Sequence, residues 1–419
     1  MKKLSILIGL VLVAFFLLPT SSKAIPAFAK KYGFNCNMCH TGYTKLNDFG
    51  QRFRDNGYQI PGQEGGEKTI FDIALPLALR TTTGLTVYKT KDGTTAGFNI
   101  FGLDLLAAGV LHKNISFLLI YTPRIDDPAS DFSGLSDSSK PAQFGSLESA
   151  NLVFSNLIQD ILNIRIGRFE PAYHPFSSKR NYYLFQPYEV YSFSTPNNRF
   201  GFDDNQIGIE ATGHLKSGFK YGLGVINGNG GSPDLNTPKD VYVNLSNTFG
   251  KGDGQSAGQR IGAFGYYGWQ PSTIPGKVIS PTGETDGEGN KPFYRVGVNG
   301  SFNYETFNLG VLFMKGVDDK AFNNLEAEKE YEYTGGFAQL DWAGLMNNRL
   351  VASFIYNWIQ PPSYDSQSQI NAYSALVRYY LGNWSAVNIA IHAEYTYRRI
   401  GKDNPIDDNL FALILDFDF

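Results

Sequence analysis

The chain has 419 residues, a net charge of −3 and a mean hydropathy of −0.23, with 45 Gly, 32 Phe and 25 Tyr. The charge argues against a nucleic-acid-binding surface, and two cysteines cannot build a disulfide framework. Abundant aromatics at low mean hydropathy suit strands that alternate lipid-facing apolar with lumen-facing polar residues, as in transmembrane β-barrels.

Lys2 and Lys3 precede an apolar run from Leu4 to Leu18, and Ser22-Lys23-Ala24 is a small-x-small cleavage pattern. The run is too short for a membrane anchor. Residues 1–24 are therefore expected to be a secretory signal peptide, with the mature chain beginning at Ile25. No later segment offers about 20 consecutive apolar residues, so no transmembrane helix is expected.

Cys36-Asn37-Met38-Cys39-His40 is the C-x-x-C-H signature of covalent c-type haem attachment. Two thiols at this spacing form thioethers with the haem vinyl groups, and the adjacent His40 is the expected proximal iron ligand. A Cys36–Cys39 disulfide or a thioredoxin-like pair is the alternative. Zinc is disfavoured, because no second Cys/His pair lies nearby. Met38 sits inside the attachment loop and cannot reach the distal face, so the sixth ligand must come from the barrel, a backbone group or water.

Residues 25–70 form the expected haem segment. Thr44 to Phe53 places Leu46, Phe49 and Phe53 on one helical face, and Gly57 is a plausible C-terminal stop. With Phe28, Tyr32 and Phe34 this face is expected to pack on the porphyrin. Some 45 residues bury too little surface to fold alone, so the segment is expected to dock into the lumen of the following barrel.

Residues 71–419 show period-two patterning throughout. Ile391, Ala393, Tyr395 and Tyr397 share one face, and His392, Glu394 and Thr396 the other. The last strand reads Phe411, Leu413, Leu415, Phe417, Phe419 outward and Asp416, Asp418 inward. Strands are expected near 71–88, 98–111, 115–123, 148–156, 162–169, 206–215, 219–227, 238–249, 260–269, 292–303, 306–316, 331–342, 349–359, 370–382, 385–398 and 408–419. That is an all-β fold: a 16-stranded antiparallel transmembrane β-barrel, the even number expected of a bacterial barrel. With both termini periplasmic, the long segments 124–147, 170–205 and 270–291 fall on the extracellular side.

On this register Arg80, Arg165, Arg295 and Arg378 point into the lumen. They either select anions or pair with inward carboxylates such as Asp416 and Glu394. Met314 and His392 also face inward and are distal-ligand candidates; His112, His174, His214 and Met346 are weaker ones. Asp126, Asp127, Asp131, Asp203, Asp204, Glu284, Asp286, Glu288, Asp318, Asp319, Asp407 and Asp408 are assigned to extracellular loops. They are either solvated or able to gather hard cations at the mouth.

Together with the Cys36–His40 motif, five stretches carry a resemblance: Ile25-Pro26-Ala27-Phe28-Ala29, Tyr32-Gly33-Phe34, Lys45-Leu46-Asn47, Phe49-Gly50 and Phe53-Arg54-Asp55-Asn56-Gly57-Tyr58. On these the chain resembles the fused cytochrome–porin family, in which one chain joins a monohaem c-type segment to an outer-membrane porin. The resemblance implies one haem c held by Cys36, Cys39 and His40, and electron exchange with periplasmic c-type cytochromes on one side. On the other side it implies extracellular metal ions or minerals, with oxidation of Fe(II) placed first. Arg54-Asp55-Asn56-Gly57 is more similar to branches from metal-reducing bacteria, which implies the reverse alternative, outward reduction of metals or oxyanions. A solute or anion porin with a haem-bearing plug is the remaining reading.

Overall fold

The computed structural model describes residues 27–34, 38–42, 45–66, 69–71, 77–123, 146–159, 161–185, 187–195, 197–231, 234, 236–250, 259–271, 289–326, 328–346, 349–384 and 387–418. The expected signal peptide, Cys36, Phe419 and the carboxylates Asp126, Asp127, Asp131, Glu284, Asp286 and Glu288 lie outside these residues.

A small N-terminal part holds helix α1 (Ala27–Tyr32), a short antiparallel ladder of β1 (His40–Gly42) and β2 (Lys45–Leu46), and helix α2 (Asp48–Asp55). Sixteen barrel strands follow. They are β3 (Leu77–Thr90), β4 (Gly93–His112), β5 (Ile115–Thr122), β6 (Ser146–Ile158), β7 (Leu162–Phe169), β8 (Gln206–His214), β9 (Phe219–Ile226) and β10 (Asp240–Phe249). The second half comprises β11 (Gln259–Pro271), β12 (Asn290–Tyr304), β13 (Phe307–Asp318), β14 (Tyr331–Leu345), β15 (Leu350–Gln360), β16 (Ile370–Trp384), β17 (Val387–Ile400) and β18 (Ile406–Asp418). Every strand pairs antiparallel with its sequence neighbours, and β18 closes onto β3 with Asp418 opposite Arg80. Closure removes the sheet edge that an open sheet exposes.

The strand number, order and facing agree with the alternation in the sequence. Ile391, Tyr395, Phe411 and Leu413 are exposed on the outer wall, while His392, Glu394, Ala412 and Ile414 are buried. Aromatic rings gather near both ends of the outer surface. Tyr356, Tyr373 and Tyr397 stack in one row, and Phe307 stacks on Trp342 near the other rim. An apolar outer belt between aromatic girdles is a lipid-facing surface. Among the described residues no helix is long and apolar enough to cross a membrane.

Two expectations fail locally. The gap between the first two barrel strands is a tight turn at Lys91-Asp92, because β4 runs well beyond its apolar part through Thr94 and Thr95. The greater difference is segment 170–205, expected to be extracellular. Its side chains Tyr173, Phe176, Tyr182, Tyr188, Tyr191, Phe200 and Phe202 are buried and form, with inward residues of the wall, the main apolar core. Each buried ring contributes roughly 1.5–3 kcal/mol relative to exposure, so a loop this aromatic is driven inward. A barrel of 16 strands is ordinarily wide enough for an aqueous channel; here the loop packs into that bore.

Candidate functional site

The loop has little secondary structure beyond one short helix, α3 (Glu189–Ser192), so its backbone groups need partners from the wall. Glu394 accepts from Leu184 N (3.0 Å) and Phe185 N (3.2 Å). Arg378 donates to Tyr182 O at 3.1 Å, Asn357 donates to Pro187 O at 3.1 Å, and Tyr188 donates to Gln339 at 2.7 Å. Arg295 binds both oxygens of Asp318 (3.0 and 3.1 Å), which in turn accepts from Thr195 and Asn198 of the loop. Polar lumen residues that read as pore lining are thus loop anchors.

All four inward arginines face the lumen as expected and all four are paired with carboxylates. Arg80 pairs with Asp104, Arg165 with Glu210 (3.2 Å), Arg295 with Asp318 and Arg378 with Asp416 (2.7 Å). Of the carboxylates placed in extracellular loops, Asp318 is fully buried in this network, and Asp203 accepts from Ser178 inside the folded loop. Burial beside Asp204 pushes Asp203 above its ordinary value, although Ser178 and Lys179 oppose this. Among the described residues no group of three or more His, Cys, Asp or Glu side chains is placed to hold a metal ion.

The N-terminal part enters the barrel from the rim where β3 begins and β18 ends. Helix α2 starts later than the periodicity suggests. Lys45 and Leu46 belong to the ladder, and Asn47 is the N-cap, its side chain accepting from Gly50 N at 2.9 Å. Asn47 also donates its backbone N–H to Cys39 O (2.9 Å) and its side-chain amide to Met38 O (3.0 Å). These contacts pin the Cys39–His40 turn against the helix. Gly50 permits the approach, since a Cβ there would lie 2.1 Å from Cys39 O.

The helix ends as the sequence suggests. Gly57 has φ +67°, with Gly57 N–H bound to Arg54 O (3.1 Å) and Tyr58 N–H to Phe53 O (2.8 Å). A Cβ at Gly57 would fall 2.2 Å from Ser116 Oγ and 2.6 Å from Ser155 Oγ of the wall. Gly57→Ala is expected to weaken docking of the segment by about 1–3 kcal/mol through overpacking and left-handed strain. Faster proteolysis of the segment in the intact barrel would register this; unchanged protection would contradict it.

Phe28, Tyr32, Phe34, Phe49, Phe53 and Tyr58 form one aromatic cluster, with Phe28 stacked on Tyr58 at 4.8 Å and Phe34 edge-on to Phe49 at 5.9 Å. A thiol, an imidazole and an aromatic wall on one short segment make up a donor set and apolar surface that fit a covalently attached porphyrin. The opposite face of α2 is charged. Asp55 accepts from His214 Nε2 (2.8 Å) and Gln51 Nε2 (3.1 Å), and pairs with Lys220 (3.0 Å) and Arg165 (3.5 Å). Arg54 reaches Glu170 of the loop at 3.2 Å, and Lys45 binds Asp341 of β14. The segment is therefore bound to wall and loop through buried charge.

His392 Nδ1 donates to the Asp416 carboxylate (2.9 Å), and the ring lies 3.7 Å from Glu394. Met314 is packed within the aromatic core. His174, assigned by sequence to an extracellular loop, is held inside with its ring against Phe202 O, and burial pushes its pKa down to about 3. His214 contacts the segment directly through Asp55, a partner that nothing local in the sequence marks. Met346 is exposed in a turn.

No protein-family model matches this chain, and no curated protein matches it by sequence. Among solved structures it is similar to the anion-selective porin from Comamonas acidovorans, with TM-score 0.57 and 11% identity over 83% of this chain and 99% of that one. The fold is a porin-like barrel. The outer membrane channel DcaP of Acinetobacter baumannii matches with TM-score 0.54 and 9% identity, over 82% of this chain and 97% of that one. The outer membrane protein OmpT of Vibrio cholerae matches with TM-score 0.52 and 11% identity, over 83% and 99%. At these identities the likeness is one of fold, and the matched share is close to the part of the chain that forms the porin-like barrel.

Proposed function

We propose that this chain is an outer-membrane electron-transfer protein whose porin-like barrel holds a haem-bearing segment in its lumen. Cys36 and Cys39 would carry one haem c by thioether links and His40 would be the proximal ligand; when bound, the haem supplies one-electron redox chemistry. Met314 and His392 are the sequence candidates for a distal ligand, but Met314 is packed in the aromatic core and His392 is engaged by Asp416, so a backbone group or water is the expected sixth ligand. The observation that supports this reading is the occupied bore. The segment carrying Cys39 and His40 is tied to the wall through Asp55 and Lys45, and the aromatic loop fills the lumen beyond it.

This chain's own residues have plain roles in that scheme. Asn47 and Gly50 orient the Cys39–His40 turn, the aromatic cluster excludes water, and the Asp55 contacts fix the segment in the barrel. Periplasmic c-type cytochromes would meet the rim where the segment enters. Extracellular metal ions or minerals would meet the opposite rim, with Fe(II) as donor placed first and outward reduction as the reverse case. The other reading is a solute or anion porin with a haem-bearing plug, favoured by the channels and the anion-selective porin among the fold neighbours.

Planar-bilayer conductance separates the two. The full-length protein is expected to show no stable ohmic channel. Steady, open-pore conductance with anion selectivity would sink the electron-transfer reading in favour of the porin.

A further inference from the structure

Between α2, the loop and the wall lies a cavity of about 50 Å³, and it adjoins a second of about 150 Å³ that shares Arg180, Lys220 and Arg260 in its lining. Arg165 also lines the first cavity but is engaged by Glu210. The remaining charged side chains there are Arg54, Arg180, Lys220 and Arg260 against two carboxylates: Asp55, which pairs with Lys220 and Arg54, and Glu170, which pairs with Arg54 and Arg180, while Arg260 has no carboxylate partner among the described residues. His174 adds no charge, because its burial keeps the ring neutral at physiological pH. Positive charge therefore outnumbers negative in a site shielded from water, where an uncompensated cation is costly.

A second observation is independent of this balance. Asn299 on β12 is 5% exposed and lines the cavity, and neither its Nδ2 nor its Oδ1 has a hydrogen-bond partner among the described residues. Arg260 Nε is also buried with no partner among them, although its Nη2 donates to Pro175 O at 3.1 Å. Unmade hydrogen bonds at buried polar atoms are costly, so such groups commonly face a ligand or water.

We propose that this cavity is a binding site for a small tetrahedral oxyanion, with inorganic phosphate or sulfate as the ligand class. Arg260 Nε and Asn299 Nδ2 supply donors with no partner among the described residues, Arg54, Arg180 and Lys220 add positive charge that they share with Asp55 and Glu170, and forked guanidinium groups suit a multi-oxygen anion. The ligand bridges the N-terminal segment through Arg54, the loop through Arg180 and the wall through Lys220 and Arg260. It thereby ties the segment into the barrel. Gln51 and Arg54 lie on the face of α2 opposite Phe49 and Phe53, so the site is separate from the aromatic face and does not rest on the haem reading.

The test is calorimetric titration of phosphate into the purified full-length protein in a chloride-poor buffer at neutral pH. One saturable site is expected. Asn299→Leu, which leaves the charge unchanged, and Arg260→Gln should each weaken binding about tenfold or more, the scale of one charge-assisted contact. Arg349→Gln, on an exposed turn, should not change it. Absence of saturable binding, or equal affinity in both cavity variants, would overturn the proposal. So would binding seen only in a haem-free Cys36→Ala, Cys39→Ala protein and lost in the haem-loaded one. That pattern would give the cavity to a carboxylate of the cofactor.

Discussion

Replacing Asp55 with alanine is expected to loosen the N-terminal segment from the barrel while leaving the sixteen-stranded wall intact. The carboxylate is buried among Lys220, His214, Arg165 and Arg54, and its removal leaves those groups without the charge they surround. Breaking a buried pair from one side costs about 3–5 kcal/mol. That is large for a segment too small to be stable by itself. Lys45–Asp341 and Arg54–Glu170 remain, so loosening rather than unfolding is expected. Limited proteolysis of the intact protein measures it directly: the segment should be cut far faster in Asp55→Ala, with Asp55→Asn intermediate. Equal protection would show that the charge cluster does not hold the segment.

The same carboxylate sets an acid limit. Burial alone would push Asp55 up, yet Lys220, His214 and Arg54 together hold it well below the ordinary carboxylate range. A lowered folded pKa contributes stability that is fully present above the unfolded value of about 4 and is lost as pH falls through the folded value. The contribution of Asp55 to docking should therefore be constant from neutrality down to about pH 4 and weaken only below it.

The second large effect concerns the cysteines. Cys36→Ala together with Cys39→Ala is expected to abolish covalently bound haem altogether, because both thioether links are lost. The barrel should persist, since the hydrogen-bonded ladder from β3 to β18 closes without that segment. Haem staining of the denatured protein reads the first effect and the heat-modified mobility of the barrel reads the second. Residual covalent haem in the double variant would contradict the assignment. Met314→Leu and His392→Gln are expected to leave the haem spectrum intact, because Met314 is packed in the aromatic core and His392 is engaged by Asp416. A shifted spectrum in either variant would identify the sixth ligand.

The barrel was legible because its rule is local. Alternation places Ile391 and Tyr395 outward and His392 and Glu394 inward, and one residue of slippage would reverse every assignment. The left-handed Gly57 that ends α2 was legible for the same reason. The start of that helix was not, because Lys45 and Leu46 pair with His40–Gly42 and tertiary contact overrides the helical period. Segment 170–205 carried a signal in its density of Tyr and Phe, but such density marks burial without saying where. Its destination depends on Glu394, Arg378 and Asn357, strand residues far along the chain that receive its backbone. The partners of Asp55 on β7, β8 and β9 are equally remote, so no local pattern joins them. The inward arginines were placed correctly, yet only three-dimensional pairing decided between anion selection and ion pairs.

A redox titration of the visible spectrum of the purified full-length protein decides whether the docked segment carries a redox-active haem. The expected absorbance is that of a single c-type haem, reduced and reoxidised in one one-electron step. A positive midpoint would fit Fe(II) as donor and a negative one outward reduction. A protein with a folded barrel and no haem absorbance would contradict the electron-transfer reading and leave a plugged porin.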